Sequence, residues 1–406
     1  MGFWLPEGGA ARWRGGHLYV GEKQAVALVR AQGTPLYAYS ARTIRQKYAG
    51  YLRAFSGCDA LVAFAVKACP NAGVLRTLAR LGAGMDVVSG GELGRALAVG
   101  VPGERIVYSG VGKMREEIKE ALRAGILAFN VESEGELELI AELSGKLHRA
   151  ARVSFRLNPG VDAGTLKGIT TGRHADKFGL TAREVLRLAG RICRMHRNMK
   201  LTGLSMHIGS QLTRLAPLGR SLGCLRETAA RIYKEHGLML DFLDAGGGLG
   251  VAYRFGERVP SVEDYARTVL QELGPGRAPY PVRIIVEPGR SIAADAGVLL
   301  ATVLYIKTRG ARRFLILDAG MNDLMRPALY GAHHEIVPAH TGRRERMQKF
   351  DVVGPLCEST DTFAAGRLLP ASLKPGDVVA ILSAGAYGAS MAGTYNSRQL
   401  PREIVI

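Results

Sequence analysis

The chain has 406 residues and a formal net charge of +18, too long for one compact core and therefore read as two domains. Its 47% hydrophobic content and 52 glycines are those of a globular protein, and its longest apolar stretches, such as 297–306, are too short to cross a bilayer. The basic residues are spread along the chain with modest clusters at 191–200 and 343–349, a pattern of a solvated arginine-rich surface rather than of a nucleic-acid footprint.

The N-terminus lacks a basic segment followed by an apolar core, and Pro6 stands where a myristoylation signal has Ser or Thr; the expected location is cytoplasmic. Five cysteines (Cys58, Cys69, Cys193, Cys224, Cys357) are odd in number and contain no Cys-x-x-Cys pair. Reduced thiols are expected, with neither a disulfide framework nor a metal site.

In chain order, residues 17–20 form a short strand and 22–31 a helix, and Gly33-Thr34-Pro35 is a break; this N-terminal piece is expected to attach elsewhere in the fold. From Leu36 a regular alternation begins. Strands are expected at 61–67, 85–89, 105–109, 127–132, 153–158, 201–208, 240–245 and 282–287. Helices between them show in apolar periods such as Val74, Leu75, Leu78 and Leu81, or Ile118, Leu122 and Ile126. Helical crossovers force parallel pairing, and eight strand-helix units imply a (β/α)8 TIM-type barrel over 36–290, with an open doubly wound sheet as the structural alternative. After Arg290 the helical period fades. Strands at 298–308, 314–317, 334–338, 350–353 and 378–382 make a second, all-β domain, of sandwich or barrel-like kind, over 291–406.

Functional groups in such barrels gather where strands finish. The first expected strand ends on Lys67, just before Cys69-Pro70-Asn71. A lysine there is either an ion-pairing partner or a nucleophile that forms an imine with a carbonyl compound. Gly246, Gly247 and Gly248 follow the seventh strand, where bare backbone N–H groups can cradle a phosphate, with Ser210 and Gly289-Arg290 joining them. Taken alone, a glycine run is equally a tight turn. His207 is either a core histidine or a flat group against an aromatic ligand, and Glu287 has no His/Asp/Glu set around it with metal-ligand spacing. Lysine, phosphate cup, imidazole and acid together meet the needs of pyridoxal 5′-phosphate: the acid keeps the ring nitrogen protonated so that the ring accepts electrons.

The segments Phe64-Ala65-Val66-Lys67, His207-Ile208-Gly209-Ser210-Gln211, Gly246-Gly247-Gly248, Glu287-Pro288-Gly289-Arg290, Cys357-Glu358-Ser359 and Gly385-Ala386-Tyr387-Gly388 resemble the fold-type III pyridoxal-phosphate-dependent decarboxylases. The likeness is strongest to the diaminopimelate decarboxylase branch. It runs from about Gly33 to the C-terminus and includes the loop from Asp318 to Tyr330. It implies a barrel joined to a β domain that takes in residues 1–35, and a homodimer with shared active sites. It also implies a small-molecule substrate, meso-diaminopimelate, with no nucleic-acid or membrane partner. By motif, Lys67 would be the Schiff-base lysine, His207 would stack on the ring, and Gly248, Ser210 and the segment Glu287 to Arg290 would contact cofactor, as would Tyr387. Arg290, Arg326 and Tyr330 would bind substrate, while Cys357 and Glu358 would come from the partner subunit. Departures are Cys69 for a usual Asn, Asp176 before Lys177-Phe178-Gly179, and Thr360 for a common Gly. An ornithine or arginine decarboxylase, or a non-catalytic cofactor-binding relative, remains the alternative. Lys67 and Cys357 together speak against the silent relative, and the Cys-Glu-Ser segment speaks against a racemase.

Overall fold

The computed structural model describes residues 3–162, 164, 172, 176–195, 198–342 and 345–406, without the side chains of 193–195. The side chain of Cys193 and parts of both basic clusters therefore lie outside what is described. The chain divides into two compact units, Tyr48–Gly250 with Val259–Gly289, and Met1–Lys47 with Val251–Arg258 and Arg290–Ile406.

In the first unit eight parallel strands close into a barrel: Ala60–Ala65, Gly84–Val87, Ile106–Tyr108, Ala128–Val131, Ala151–Arg156, Met199–Ser205, Phe242–Asp244 and Arg283–Val286. Each answers to one expected strand. The last pairs with the first, Ile284 opposite Ala60, so the open sheet is excluded. Helices cover the outside and side chains fill the inside, which leaves the strands buried on both faces and explains their nearly continuous apolar runs. Leu61, Ala63, Val107, Leu127, Ala128, Phe242 and Ile285 form one interior cluster, where a fully buried large side chain contributes about 1.5–3 kcal/mol.

The helix starts are set by polar caps at the strand ends. Asn71 accepts from the backbone N–H of Gly73 and Val74 to open Ala72–Ala79, and Ser89 accepts from Glu92 N–H to open Gly90–Ala98.

The second unit has a strand order Ile336–Pro338, Val378–Ile381, Gly297–Arg309, Arg312–Leu317, Met347–Val353, Thr362–Pro370. Leu36–Tyr39, where the alternation was read to begin, belongs to this unit: it pairs with Gly297–Arg309 and, in parallel, with Arg402–Val405. All four of its residues are buried, and so short an apolar run does not say which sheet it joins. The division accordingly falls at Lys47, within the helix Ala41–Ala54, rather than at residue 36. The N-terminal helix is Ala25–Gln32, three residues later than its expected start at 22, because Lys23–Gln24 extends a small sheet with Ala11–Arg14 and His17–Val20. Thr362–Pro370 escaped pattern reading, for it carries Gly366 at a left-handed φ of 61° and exposed positions that break its alternation.

Candidate active site

Lys67 lies just past its strand, in the single turn Val66–Ala68, which Asn71 and the helix it opens close off. The turn is held from below: Ala65 N–H donates to Pro288 O at 3.1 Å. A Cβ on Gly289 would meet the methyls of Ala68 and Ala65 at 3.0 and 3.1 Å, so a side chain there would crowd the last strand's loop against the lysine turn. Lys67 Nζ donates to Asp86 Oδ2 at 2.7 Å, with the Asp86 side chain fully buried and that of Lys67 33% exposed. The amine is thus accessible while its partner is fixed.

Gly246 and Gly248 have φ of 67° and 97°, which disfavour any side chain. A Cβ on Gly246, Gly247 or Gly248 would run into the carbonyl oxygens of Met206, Glu287 and Gly209 respectively. The run is pinned by Tyr265 Oη donating to Gly246 O at 2.9 Å and by Leu212 N–H donating to Gly248 O at 2.8 Å. The result is bare backbone beside the 209–212 segment, which carries the partly exposed Ser210. Gly247 N–H donates to His207 Nδ1 at 3.3 Å. An accepting ring nitrogen carries no proton, so the histidine is neutral with its proton on Nε2. Desolvation first, then the charges of Lys67 and Arg156, hold its pKa well below the ordinary value.

Glu287 and Asp244 are buried at the ends of the last two strands. Burial, then the neighbouring carboxyls of Asp244 and Asp86, push Glu287 well above the usual carboxylate range, and burial also raises Asp244. Asp86 Oδ1 is buried with no hydrogen-bond partner among the described residues, whereas the carboxyls of Asp244 and Glu287 hydrogen-bond to each other, which needs a proton on one of them. An acceptor left as Asp86 Oδ1 is suits a bound cation or donor. Glu92, half-buried and near Asp86, is pushed up to about 7, desolvation being the main cause. On the neighbouring strands Arg156 pairs with Glu132 at 2.8 Å. Among the described residues no His/Cys/Asp/Glu group is arranged to hold a metal ion.

The remaining sequence candidates lie in the β-rich unit. Arg290 opens the turn Arg290–Ala293, donates to Tyr253 Oη at 2.7 Å, and lies 4.8 Å from the Tyr387 ring centroid. Arg326 begins the helix Arg326–Tyr330, is 5% exposed, and lies 4.6 Å from the Tyr253 ring. Its Nη1 meets His334 Nε2 at 2.8 Å, and His334 Nδ1 meets Leu382 O at 2.8 Å. Among the described residues Arg326 pairs with no carboxylate. Burial lowers its pKa, and the like charge of Arg290 adds to this. Tyr253, Arg290, Arg326 and Tyr387 are therefore brought into one cluster, and Tyr330 ends the helix that Arg326 begins.

Cys357 and Glu358 stand on an exposed loop. Glu358 accepts from Tyr395 Oη at 2.5 Å, and Cys357 N–H donates to Asn396 Oδ1 at 3.3 Å. The loop is anchored by the buried Asp361, which accepts from Met321 N–H at 2.6 Å and Leu356 N–H at 2.7 Å. Thr360, the departure from the family pattern, is exposed just before this anchor.

Sequence reasoning missed Asp86, Asp244, Tyr253, His334 and Asp361. For the first two a signal existed: an acid inside an otherwise apolar strand, as in Met85-Asp86-Val87 and Leu243-Asp244-Ala245, is costly to bury without a task. Tyr253 and His334 carry no such signal, since their partners are distant in the chain.

Residues 41–294 match the family model described as pyridoxal-dependent decarboxylase, pyridoxal binding domain. The diaminopimelate decarboxylase of Haemophilus influenzae is 44% identical over 96% of this chain and 92% of its own. The crystal structure of diaminopimelate decarboxylase from Helicobacter pylori, complexed with L-lysine, is 41% identical with a TM-score of 0.88, covering 94% of this chain and 93% of its own. That from M. jannaschii, in complex with L-lysine, is 37% identical with a TM-score of 0.92, covering 99% and 94%. A parallel barrel with a lysine just past its first strand, joined in one chain to a β-rich unit, is the architecture of a pyridoxal-phosphate-dependent lyase. The chain belongs to the pyridoxal-dependent decarboxylase family and, within it, to the diaminopimelate decarboxylases.

Pyridoxal 5′-phosphate is the cofactor of this family, and the residues present fit it. Glycines that exclude every side chain leave backbone N–H groups for a phosphate, and the buried Glu287 carboxyl, paired with Asp244, is a group that can share a proton with a ring nitrogen.

Proposed function

We propose that this chain removes one carboxylate from meso-2,6-diaminopimelate, releasing CO2 and L-lysine in the last step of lysine biosynthesis, and that it works as a cytoplasmic homodimer with shared sites and no nucleic-acid or membrane partner. The observation that carries the substrate is Arg326. A guanidinium cannot shed its charge, and a buried one facing tyrosine rings and a neutral imidazole, with no acid among the described residues, is built to receive a carboxylate. An ornithine or lysine pocket would instead need an acid there to meet a bare ammonium.

In this reading Lys67 would hold the cofactor through its Nζ, and Asp86, 2.7 Å from that nitrogen, would keep the amine in place when it is free. Bound cofactor supplies a sink for the electron pair left when the Cα–CO2 bond breaks. His207 would stack on the cofactor ring as a neutral imidazole, adding no charge beside Lys67. Glu287 would accept from the ring nitrogen and so keep that nitrogen protonated. Gly246, Gly247, Gly248, Ser210 and Gly289 would cradle the phosphate. Arg326, with Arg290 and Tyr330, takes the distal carboxylate, and Glu358 the distal ammonium. Cys357 Sγ–H gives a proton to the carbon that has lost CO2. The exposure of Cys357 and Glu358 in the single chain supports the partner-subunit role that the resemblance implied.

The test is a product assay with purified protein and cofactor on meso-diaminopimelate, L-ornithine, L-arginine and L-lysine. CO2 and L-lysine from the first alone are expected. Efficient turnover of another with diaminopimelate untouched refutes the assignment. For the shared site, inactive Lys67→Ala and Cys357→Ala homodimers mixed under exchange conditions should regain activity; none despite proven exchange counts against it.

A further inference from the structure

The 2.8 Å contact between His334 Nδ1 and Leu382 O determines the tautomer, because a carbonyl oxygen only accepts. Nδ1 therefore carries the proton, and Nε2 presents its lone pair to Arg326 Nη1 at 2.8 Å. His334 is 1% exposed, with Arg326 against its ring nitrogen and the Tyr253 ring edge-on at 5.2 Å. Protonation would set a third cation beside Arg326 and Arg290. Burial and those two charges accordingly drive its pKa down to about 3. The imidazole is thus a rigid neutral acceptor clamped at both nitrogens, one to the sheet backbone just past Val378–Ile381 and the other to the guanidinium.

We infer that His334 is a positioning residue that fixes the plane of the Arg326 guanidinium and thereby sets the enzyme's preference for substrates with a second carboxylate. The inference rests on the reading of Arg326 as the holder of that carboxylate. Tyr253 supports one face of the fork and the His334 lone pair fixes one Nη1–H, so a planar carboxylate meets a preorganised donor edge instead of a rotating side chain. A fixed fork discriminates; a mobile one would bind any anion weakly.

The test uses holoenzyme carrying His334→Leu, which removes the acceptor at similar volume, and His334→Gln, whose side-chain oxygen reaches the place of Nε2. Two ligands separate the roles: L-lysine retains the distal carboxylate, while cadaverine has the same chain and neither carboxylate. His334→Leu should raise the KM for meso-diaminopimelate and the inhibition constant of L-lysine at least tenfold. It should change kcat less than threefold and leave cadaverine inhibition and cofactor affinity within twofold. His334→Gln should recover most of the loss. An unchanged KM in His334→Leu, or equal weakening of L-lysine and cadaverine together with a lower Tm, overturns the inference. Should the leucine variant not fold, His334→Asn replaces it: its amide reaches Leu382 O but not Arg326, and a KM equal to that of His334→Gln overturns the inference as well. Arg326→Ala is measured alongside. If it too leaves KM unchanged, the carboxylate reading has failed; if it alone raises KM, only the positioning role has.

Discussion

In the barrel unit Asp86, Asp244, Glu287 and Glu92 gather around a single lysine, whereas in the β-rich unit Arg290 and Arg326 are packed among tyrosines and a neutral histidine. The chemistry of the groups explains why both arrangements are tolerable. A buried carboxyl without a cation keeps its proton, and burial raises Glu287 and Glu92 accordingly. A guanidinium has no such escape, so the β-rich unit uses aromatic faces and a histidine lone pair to hold it. In the proposed reading the acidic group serves amines and a ring nitrogen, and the arginine group serves carboxylates.

The largest effect should come from Lys67→Ala, which removes the cation bonded to Asp86. Turnover should fall to background, and borohydride treatment of unmodified holoenzyme followed by peptide mapping should label Lys67; a label on another lysine would move the centre of the barrel site. Next, Gly248→Ala places a methyl on Gly209 O at a φ of 97°. Strain of this kind costs about 1–3 kcal/mol, and a loss of cofactor affinity of at least roughly tenfold should be read by equilibrium dialysis, with the arginine cluster untouched. Arg326→Ala should lower kcat/KM for meso-diaminopimelate at least roughly tenfold, since a charge-assisted hydrogen bond contributes about 1.5–3 kcal/mol. It should spare the cofactor spectrum, which separates the two regions directly.

The smallest effect concerns Glu92. Its folded pKa of about 7 lies above the ordinary 4.5, so the folded protein binds more protons than the unfolded chain between those values, and stability falls as pH rises through that window. Glu92→Gln cannot titrate and should remove that slope, gaining on the order of 1–3 kcal/mol over the parent protein by pH 8 in the cofactor-free state. Tm measured from pH 4.5 to 8 for both proteins checks it. Parallel curves would mean that Glu92 is already ionised, and the barrel would then lose its contrast with the arginine cluster.

The eight barrel strands were legible because parallel strands covered on both sides need unbroken apolar runs, and their ends because chemistry-bearing residues interrupt those runs. Lys67, His207, the triple glycine and Glu287 stand out as candidates in this way. Leu36–Tyr39 was assigned to the wrong side of the division because its four buried residues are apolar in either sheet, and only pairing with Gly297–Arg309 and Arg402–Val405 decides the matter. The same limit applies to the site. Local sequence showed which groups carry charge, since burying a charge leaves a mark on composition. It could not show that Asp86 meets Lys67 across 19 positions, or that His334 reaches Leu382 across 48. Those contacts depend on barrel closure and on sheet register, which are properties of the whole chain. Whether a lysine stands free at the surface or is bonded to a buried acid, and which nitrogen of a histidine carries its proton, is therefore a matter for the tertiary structure, because both depend on burial and on neighbours that only folding supplies.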